Sequence, residues 1–334
     1  MAILQKQFIA FHDVIKLGAY DEEETLRKKR DLLIDELKES LKDEKVPNKD
    51  RALIFTKLDQ GSYAMSTGIV PYKNDFDIDV AVCFDIDKEE YDSHKLKTLV
   101  FDKLNKQNNR TVEFTRPCIS VKYADGYHVD LVVYTKNNND MYIAWGKQFV
   151  PAEQEWFEAD PKGLTKWVQD VSSETEERDQ FRRCVRALKK WKQKQFISAG
   201  NAAPPSIGLT IQARTSFRFN RDEDLSVLIG MVSHIKNSFH SIFDTEDMEI
   251  RYVVSTHLPV RPCKNVYYKM TNKQMDSFYN AAKDFLEALE AAKESDSDHE
   301  ASKILRKVFG DEFPLVEDSK KSENAPYVST GLSA

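Results

Sequence analysis

Between residues 21 and 45 apolar side chains return every three or four positions: Leu26, Leu32, Leu33, Ile34, Leu37 and Leu41 sit among dense Glu, Lys and Arg. That spacing predicts one long amphipathic helix. An extended run, RALIFTKLDQG over 51–61, leads to a Gly61-Ser62 pair. The pattern then changes. Over 77–84 (DIDVAVCF), Ile78, Val80, Ala81, Val82 and Phe84 form the near-continuous apolar run of a buried strand. Residues 93–106 read as helix. CISVKY (118–123) and HVDLVVY (128–134) read as two strands joined through Ala124-Asp125-Gly126, a good hairpin turn.

After about residue 150 helical periodicity dominates, over 174–197, 205–216, 224–242, 272–294 and 298–309. Pro151, Pro161 and Gly163 mark a lobe boundary within 150–172. Strands with helices first and helices afterwards predict an α+β protein. Its expected parts are a mixed-sheet lobe over 1–160 that includes the long N-terminal helix, a helical lobe over 161–316, and a tail over 317–334. The tail, EDSKKSENAPYVSTGLSA, has too little apolar content to offset the entropy of ordering.

Composition narrows the function classes. The 334 residues, 41% hydrophobic, suffice for one large or two modest cores. No apolar run approaches the ~18 residues of a membrane span, and the first twenty residues are too polar for a secretory signal. A cytoplasmic location and no membrane partner are therefore expected. A net charge of −6 argues against a long nucleic acid as the main partner, because such binding displaces counterions from a basic surface. The four cysteines are too scattered for a disulfide framework or a zinc site, and Cys83 and Cys118 read as buried thiols.

The chemistry concentrates in QGSYAMSTGIVPYKNDFDID, residues 60–79. A turn at Gly61-Ser62 can aim backbone N–H groups and a hydroxyl at a phosphate. In a strand Asp77 and Asp79 share one face, and paired carboxylates repel unless a cation sits between them. Asp130 lies inside the apolar strand HVDLVVY, where a carboxylate is costly unless paired or coordinated. If the strands are neighbours, three acids converge as in two-metal phosphoryl transfer. The bland alternative is that Asp77 and Asp79 cap a strand end while Asp130 faces solvent. Asp75 reads as a loop residue, and His128 and His257 as ordinary. Tyr63 and Met65 flank the turn and belong either to a base-stacking wall or to the core. On the helix over 174–197, Phe181, Val185, Leu188 and Trp191 form an apolar stripe, with Arg182, Arg186 and Lys189 on an adjacent face that suits a polyphosphate or is simply solvated.

The order Gly61-Ser62, Asp77-x-Asp79 and Asp130 resembles the DNA polymerase β-like nucleotidyltransferases. More narrowly it resembles the DncV-like branch of the bacterial CD-NTases, relatives of cyclic GMP–AMP synthase that make cyclic oligonucleotide signals in antiphage defence. RALKKW (186–191) is similar to the branch's triphosphate-binding helix, and PPSIGL (204–209) to its Pro-Ser-Ser-Ile segment, with one Ser where the branch has two. The likeness covers about 50–215. It implies a polymerase β-like lobe with a mixed sheet backed by a helical lobe. Asp77, Asp79 and Asp130 become catalytic and metal-holding, with Mg²⁺ as cofactor and Mn²⁺ as its substitute. Gln60, Gly61, Ser62, Tyr63, Met65, Arg116, Lys189 and Ser206 become nucleotide-binding, although Ser206 after two prolines also suits a helix N-cap. The implied activity is synthesis of a cyclic di- or trinucleotide from NTPs. The alternatives are a template-independent RNA nucleotidyltransferase and a small-molecule adenylyltransferase. The likeness also implies a C-terminal conjugation or activating partner for the 317–334 tail.

Overall fold

The computed structural model describes residues 4–18, 21–72, 75–106, 109–137, 140–150, 155–197 and 200–318. The chain opens with α1 (Gln5–Ile15) and α2 (Glu22–Leu41), followed by β1 (Phe55–Asp59), the single turn α3 (Gly61–Ala64) and β2 (Phe76–Phe84). Next come α4 (Ser93–Leu104), β3 (Arg110–Phe114), β4 (Ile119–Tyr123), β5 (Tyr127–Asn137), β6 (Asp140–Trp145) and β7 (Glu155–Glu158). β1 to β7 form one mixed sheet. β2 and β5 run parallel at its centre, with Asp79 directly opposite Asp130 and Asp77 opposite His128. β1 flanks β2, and β5 is long enough to pair β4 along its first half and β6 along its second.

Alternation along β2 decides which side chains are available for chemistry. Phe76, Ile78, Val80, Val82 and Phe84 point into a core shared with Leu26, Leu33, Ile34, Leu37 and Leu41 of α2. Asp77, Asp79, Ala81 and Cys83 point the other way. There a small cluster of Ala81, Cys83, Cys118, Val132, Tyr134 and Met141 covers the far end of the face and leaves the acids at its edge. Leu32, expected on the buried stripe of α2, is 71% exposed because it falls off the i, i+3, i+4 row. The expected hairpin is formed by β4 and β5, with Gly126 at φ +86° in its turn.

Helices α5 (Pro161–Gln169), α6 (Thr175–Gln195), α7 (Ser206–Ser216), α8 (Asp224–Asn237), α9 (Asn272–Glu294) and α10 (Asp298–Phe309) build a second core. The helix expected over 224–242 stops at Asn237, because residues 240–244 become β8 (His240–Asp244) and pair with β9 (Glu249–Val253). Strands β3, β6, β7, β8 and β9 were not foreseen; all are short, at four to six residues. Helix α1 was also not foreseen. Its Phe8 and Phe11 rings lie 5.3 Å from Phe313 and 4.9 Å from Phe309, so the first turns of the chain pack on the last helix and not on the sheet. Of the 317–334 tail only Glu317 and Asp318 are described, after Val316, whose carbonyl accepts from His299 Nδ1 (2.7 Å). Residues 319–334 lie outside the described residues. Among the described residues no helix is long and apolar enough to cross a membrane.

Candidate active site

The chain leaves β1 at Asp59, turns at Gln60 and starts α3 at Gly61, whose φ is +71°. A left-handed backbone favours glycine, and here a second constraint acts. A Cβ on Gly61 would stand 1.9 Å from Asp79 Oδ2, so only glycine lets the turn lie against that carboxylate. Gln60 is fixed from below by Tyr134, whose hydroxyl donates to Gln60 Oε1 at 3.1 Å.

Asp77, Asp79 and Asp130 share this face. Burial pushes Asp79 up to about 7, and the charges of Asp77 and Asp130 add to the shift. Burial also raises Asp77, which keeps solvent access but has protein crowding most of its sides; Asp130 raises it further and His128 opposes. Asp130 Oδ1 is buried with no hydrogen-bond partner. Burial and the nearby Asp130 hold the Cys118 thiol up at about 12, so it is inert. A face of carboxylate donors that repel one another, one of them with an unpaired buried oxygen, fits a hard divalent cation. Among the described residues, no three His, Cys, Asp or Glu side chains already close around a single metal.

Beside the acids lies a cleft of about 340 Å³, bordered by Gln60, Gly61, Ser62, Met65, Lys189 and Ser206. None of the three acids lines it; Gly61, which lies against Asp79, does. A larger cavity of about 960 Å³ adjoins it and shares Ala159, Ile207, Leu258 and Pro262. Arg116 belongs to this second cavity, together with Trp145, Phe157, Lys264 and Lys269. The carbonyls of Thr115, Arg116 and Gly146 all accept from the buried Lys97 ammonium (2.9, 2.8 and 3.3 Å), which fixes the backbone at Arg116.

Other expected residues sit differently from the expectation. Tyr63 lines neither cavity; its hydroxyl bonds Arg27 and Glu23 of α2, and its ring packs 5.4 Å from the Arg27 guanidinium. Met65 borders the cleft but is 5% exposed and part of the helical core. Lys189 donates to the carbonyl and the hydroxyl of Thr67, both at 2.9 Å, and burial followed by Arg186 pushes it down to about 7. The basic face of α6 is divided. Arg186 holds the carbonyls of Gly68 (3.0 Å) and Ser66 (2.7 Å), Arg182 pairs Asp179, and Arg183 pairs the buried Asp224 at 2.6 Å. Ser206 is the first residue of α7 and makes no capping bond; its hydroxyl accepts from Lys192 Nζ at 2.9 Å.

Sequence reasoning passed over His128, Thr67 and Lys192. His128 Nδ1 stands 3.3 Å from Asp75 and faces Asp77 across the parallel register. The H-x-D spacing to Asp130 places both on one strand face and was a readable signal. The roles of Thr67 and Lys192 depend on contacts between distant segments and left no local trace.

This sheet, turn and row of acids have the arrangement that the resemblance to polymerase β-like nucleotidyltransferases implies. Residues 56–134 match the family model described as "Cyclic GMP-AMP synthase DncV-like, nucleotidyltransferase domain". Over those residues the chain is similar to the nucleotidyltransferase domain of the DncV-like enzymes. It is 23% identical over 233 residues to a c-di-GMP synthase of Roseivirga ehrenbergii, covering 62% of this chain and 59% of the relative. To a cyclic GMP-AMP synthase of Escherichia albertii it is 26% identical over 174 residues, covering 49% and 38%. The chain thus spans about half the length of the curated relatives it matches. The fold matches the Vibrio cholerae DncV cyclic AMP-GMP synthase at a TM-score of 0.71 and 16% identity, over 94% of this chain and 98% of that one.

Proposed function

We propose that this protein is a nucleotidyltransferase that joins NTPs into a cyclic oligonucleotide, a cyclic dinucleotide in the simplest case. The observation that carries the reading is the meeting of Asp77, Asp79 and Asp130 on two parallel strands against the Gly61 turn. The relatives that bear synthase names point the same way. Each transfer forms a bond from an attacking hydroxyl oxygen to the α-phosphorus and breaks the bond from that phosphorus to pyrophosphate. A second transfer closes the ring. Two adjoining cavities, of about 340 and 960 Å³, offer room for a donor and an acceptor nucleotide.

Asp77, Asp79 and Asp130 would hold Mg²⁺, with Mn²⁺ as a substitute, and substrate phosphates would complete the oxygen set. The bound metal supplies Lewis-acid stabilisation of phosphate charge. The chain's own residues do the rest. Gly61 keeps side chains away from the phosphates, and Ser62 offers a hydroxyl at the mouth. Lys189, next to the acids and tied to Thr67, places a cation beside the triphosphate. Lys192 and Ser206 present a second donor pair on the cleft wall. Arg116 and Trp145 line the second cavity, where an acceptor base can stack. The product would serve as a second messenger in antiphage defence.

Incubation with all four NTPs and Mg²⁺ or Mn²⁺, followed by phosphatase and mass spectrometry, tests the reading. A phosphatase-resistant cyclic product that Asp79→Asn abolishes is expected. Transfer onto RNA or a small-molecule acceptor with no cyclic product overturns it.

A further inference from the structure

A third cavity, of about 370 Å³, opens between α1 and α6 and is lined by Ile9, His12, Asp13, Ser66, Asp179, Arg182, Arg183 and Arg186. It shares no lining residue with either cavity of the candidate active site. Its charges do not balance. Asp13 is bound by Lys16 (2.7 Å), Asp179 by Arg182 (3.2 Å), and Arg183 by Asp224 (2.6 Å). Among the described residues Arg186 has no carboxylate partner; its Nε and Nη2 go to the backbone carbonyls of Gly68 and Ser66. A half-buried guanidinium answered by neutral carbonyls keeps a charge that a counterion in the cavity can compensate. Burial and then the repulsion of Arg182 push Arg186 down to about 10, while the charges of Asp179 and Glu23 oppose the shift. His12 adds a second sign. Its Nδ1 is buried without a hydrogen-bond partner, and burial followed by Arg186 holds the imidazole neutral with a pKa of about 4. A neutral imidazole can still donate one hydrogen bond.

We propose that this cavity is a binding site for a small phosphate-bearing anion, which neutralises Arg186 and stiffens the segment after the Gly61 turn. Arg182 and Arg183 retain N–H groups beyond those their carboxylates use, and planar guanidinium groups suit phosphate oxygens. The link to the candidate active site is short. Arg186 grips Ser66 and Gly68 while Lys189, one helical turn further along α6, grips Thr67 between them. An anion that fixes Arg186 therefore restrains Ser66 and Gly68, the two neighbours of the Thr67 that holds Lys189. The binding claim stands on the cavity alone; only its regulatory meaning rests on the proposed synthase activity.

The test is calorimetric titration of the full chain with inorganic phosphate, and separately with AMP, in metal-free buffer at constant ionic strength. Without metal the acidic row repels anions from the main cleft. Saturable binding of one phosphate or one AMP per chain is expected, and the tighter of the two identifies free phosphate or a phosphate ester as the natural form. Arg182→Gln, a partly exposed position that keeps the fold, should weaken this binding about tenfold, the size of one charge-assisted contact; Arg186→Lys should weaken it at least as much. Hydrogen exchange of residues 61–68 should slow on saturation in the wild type. Absence of saturable binding overturns the proposal. So does binding that survives Arg182→Gln and Arg186→Lys but is lost in Lys189→Ala, because the anion then occupies the main cleft.

Discussion

Asp79→Asn offers the sharpest test of how the acidic row is built. In the folded chain Asp79 titrates near 7, against an ordinary aspartate value of 3.8, chiefly through burial and secondarily through Asp77 and Asp130. A carboxyl raised in the folded state binds a proton there that the unfolded chain has already released. Its penalty is therefore complete above about pH 7, shrinks as the pH falls from 7 towards 4, and vanishes below 4. Holding the carboxyl near 7 instead of 3.8 corresponds to about 4 kcal/mol. Asp79 is only partly buried, and solvent screening reduces this, so that ~1–3 kcal/mol of added stability is expected at pH 8. The assay is urea or thermal unfolding of wild type and Asp79→Asn in metal-free buffer at pH 8, 6 and 4. The variant should melt several degrees higher at pH 8 and lose that advantage by pH 4. Mg²⁺ should raise the wild-type melting temperature and barely move that of the variant. Cyclic product should disappear in the same variant. Should Asp79→Asn be less stable than wild type at pH 8, the carboxylate is a bonded structural partner, and the crowded-acid reasoning fails.

Gly61→Ala sets a Cβ 1.9 Å from Asp79 Oδ2 at φ +71°; a loss of ~2–4 kcal/mol in unfolding free energy is expected, along with loss of product. Lys189→Ala should weaken NTP affinity by ~1–3 kcal/mol and speed hydrogen exchange at 66–68, since it also frees Thr67; unchanged NTP binding would reduce Lys189 to a structural tie. Gly208→Ala should destabilise the helical core by ~1–3 kcal/mol without altering metal binding, because its Cβ would meet the fully buried Tyr267 ring at 2.4 Å. Deleting residues 319–334 should leave melting and synthesis intact while removing any conjugates formed through the C-terminal segment.

The strongest sequence signals were those a single element can carry. The period of α2, the apolar runs of β2 and β5 and the Ala124-Asp125-Gly126 turn all follow from side-chain spacing and turn chemistry within a dozen residues. The D-x-D alternation likewise puts Asp77 and Asp79 on one face of any strand, whatever surrounds it. Registration of Asp79 opposite Asp130 needed the parallel pairing of β2 with β5, two strands separated by α4, β3 and β4. The short strands β6 to β9 gain their stability from partners and not from intrinsic preference, so their pattern was too weak to read. Helix α1 shows the same dependence at the chain's opening, since its aromatic face has meaning only once α10 is folded beside it. Charge was the least legible property. Arg182, Arg183, Arg186, Lys189 and Lys192 look alike along α6, yet Arg182 stays on Asp179 of its own helix while tertiary contacts send Arg183 to Asp224, Arg186 to Ser66 and Gly68, Lys189 to Thr67 and Lys192 to Ser206. A charged side chain's role is set by its dielectric surroundings and nearest counter-charge, and both are properties of the folded chain.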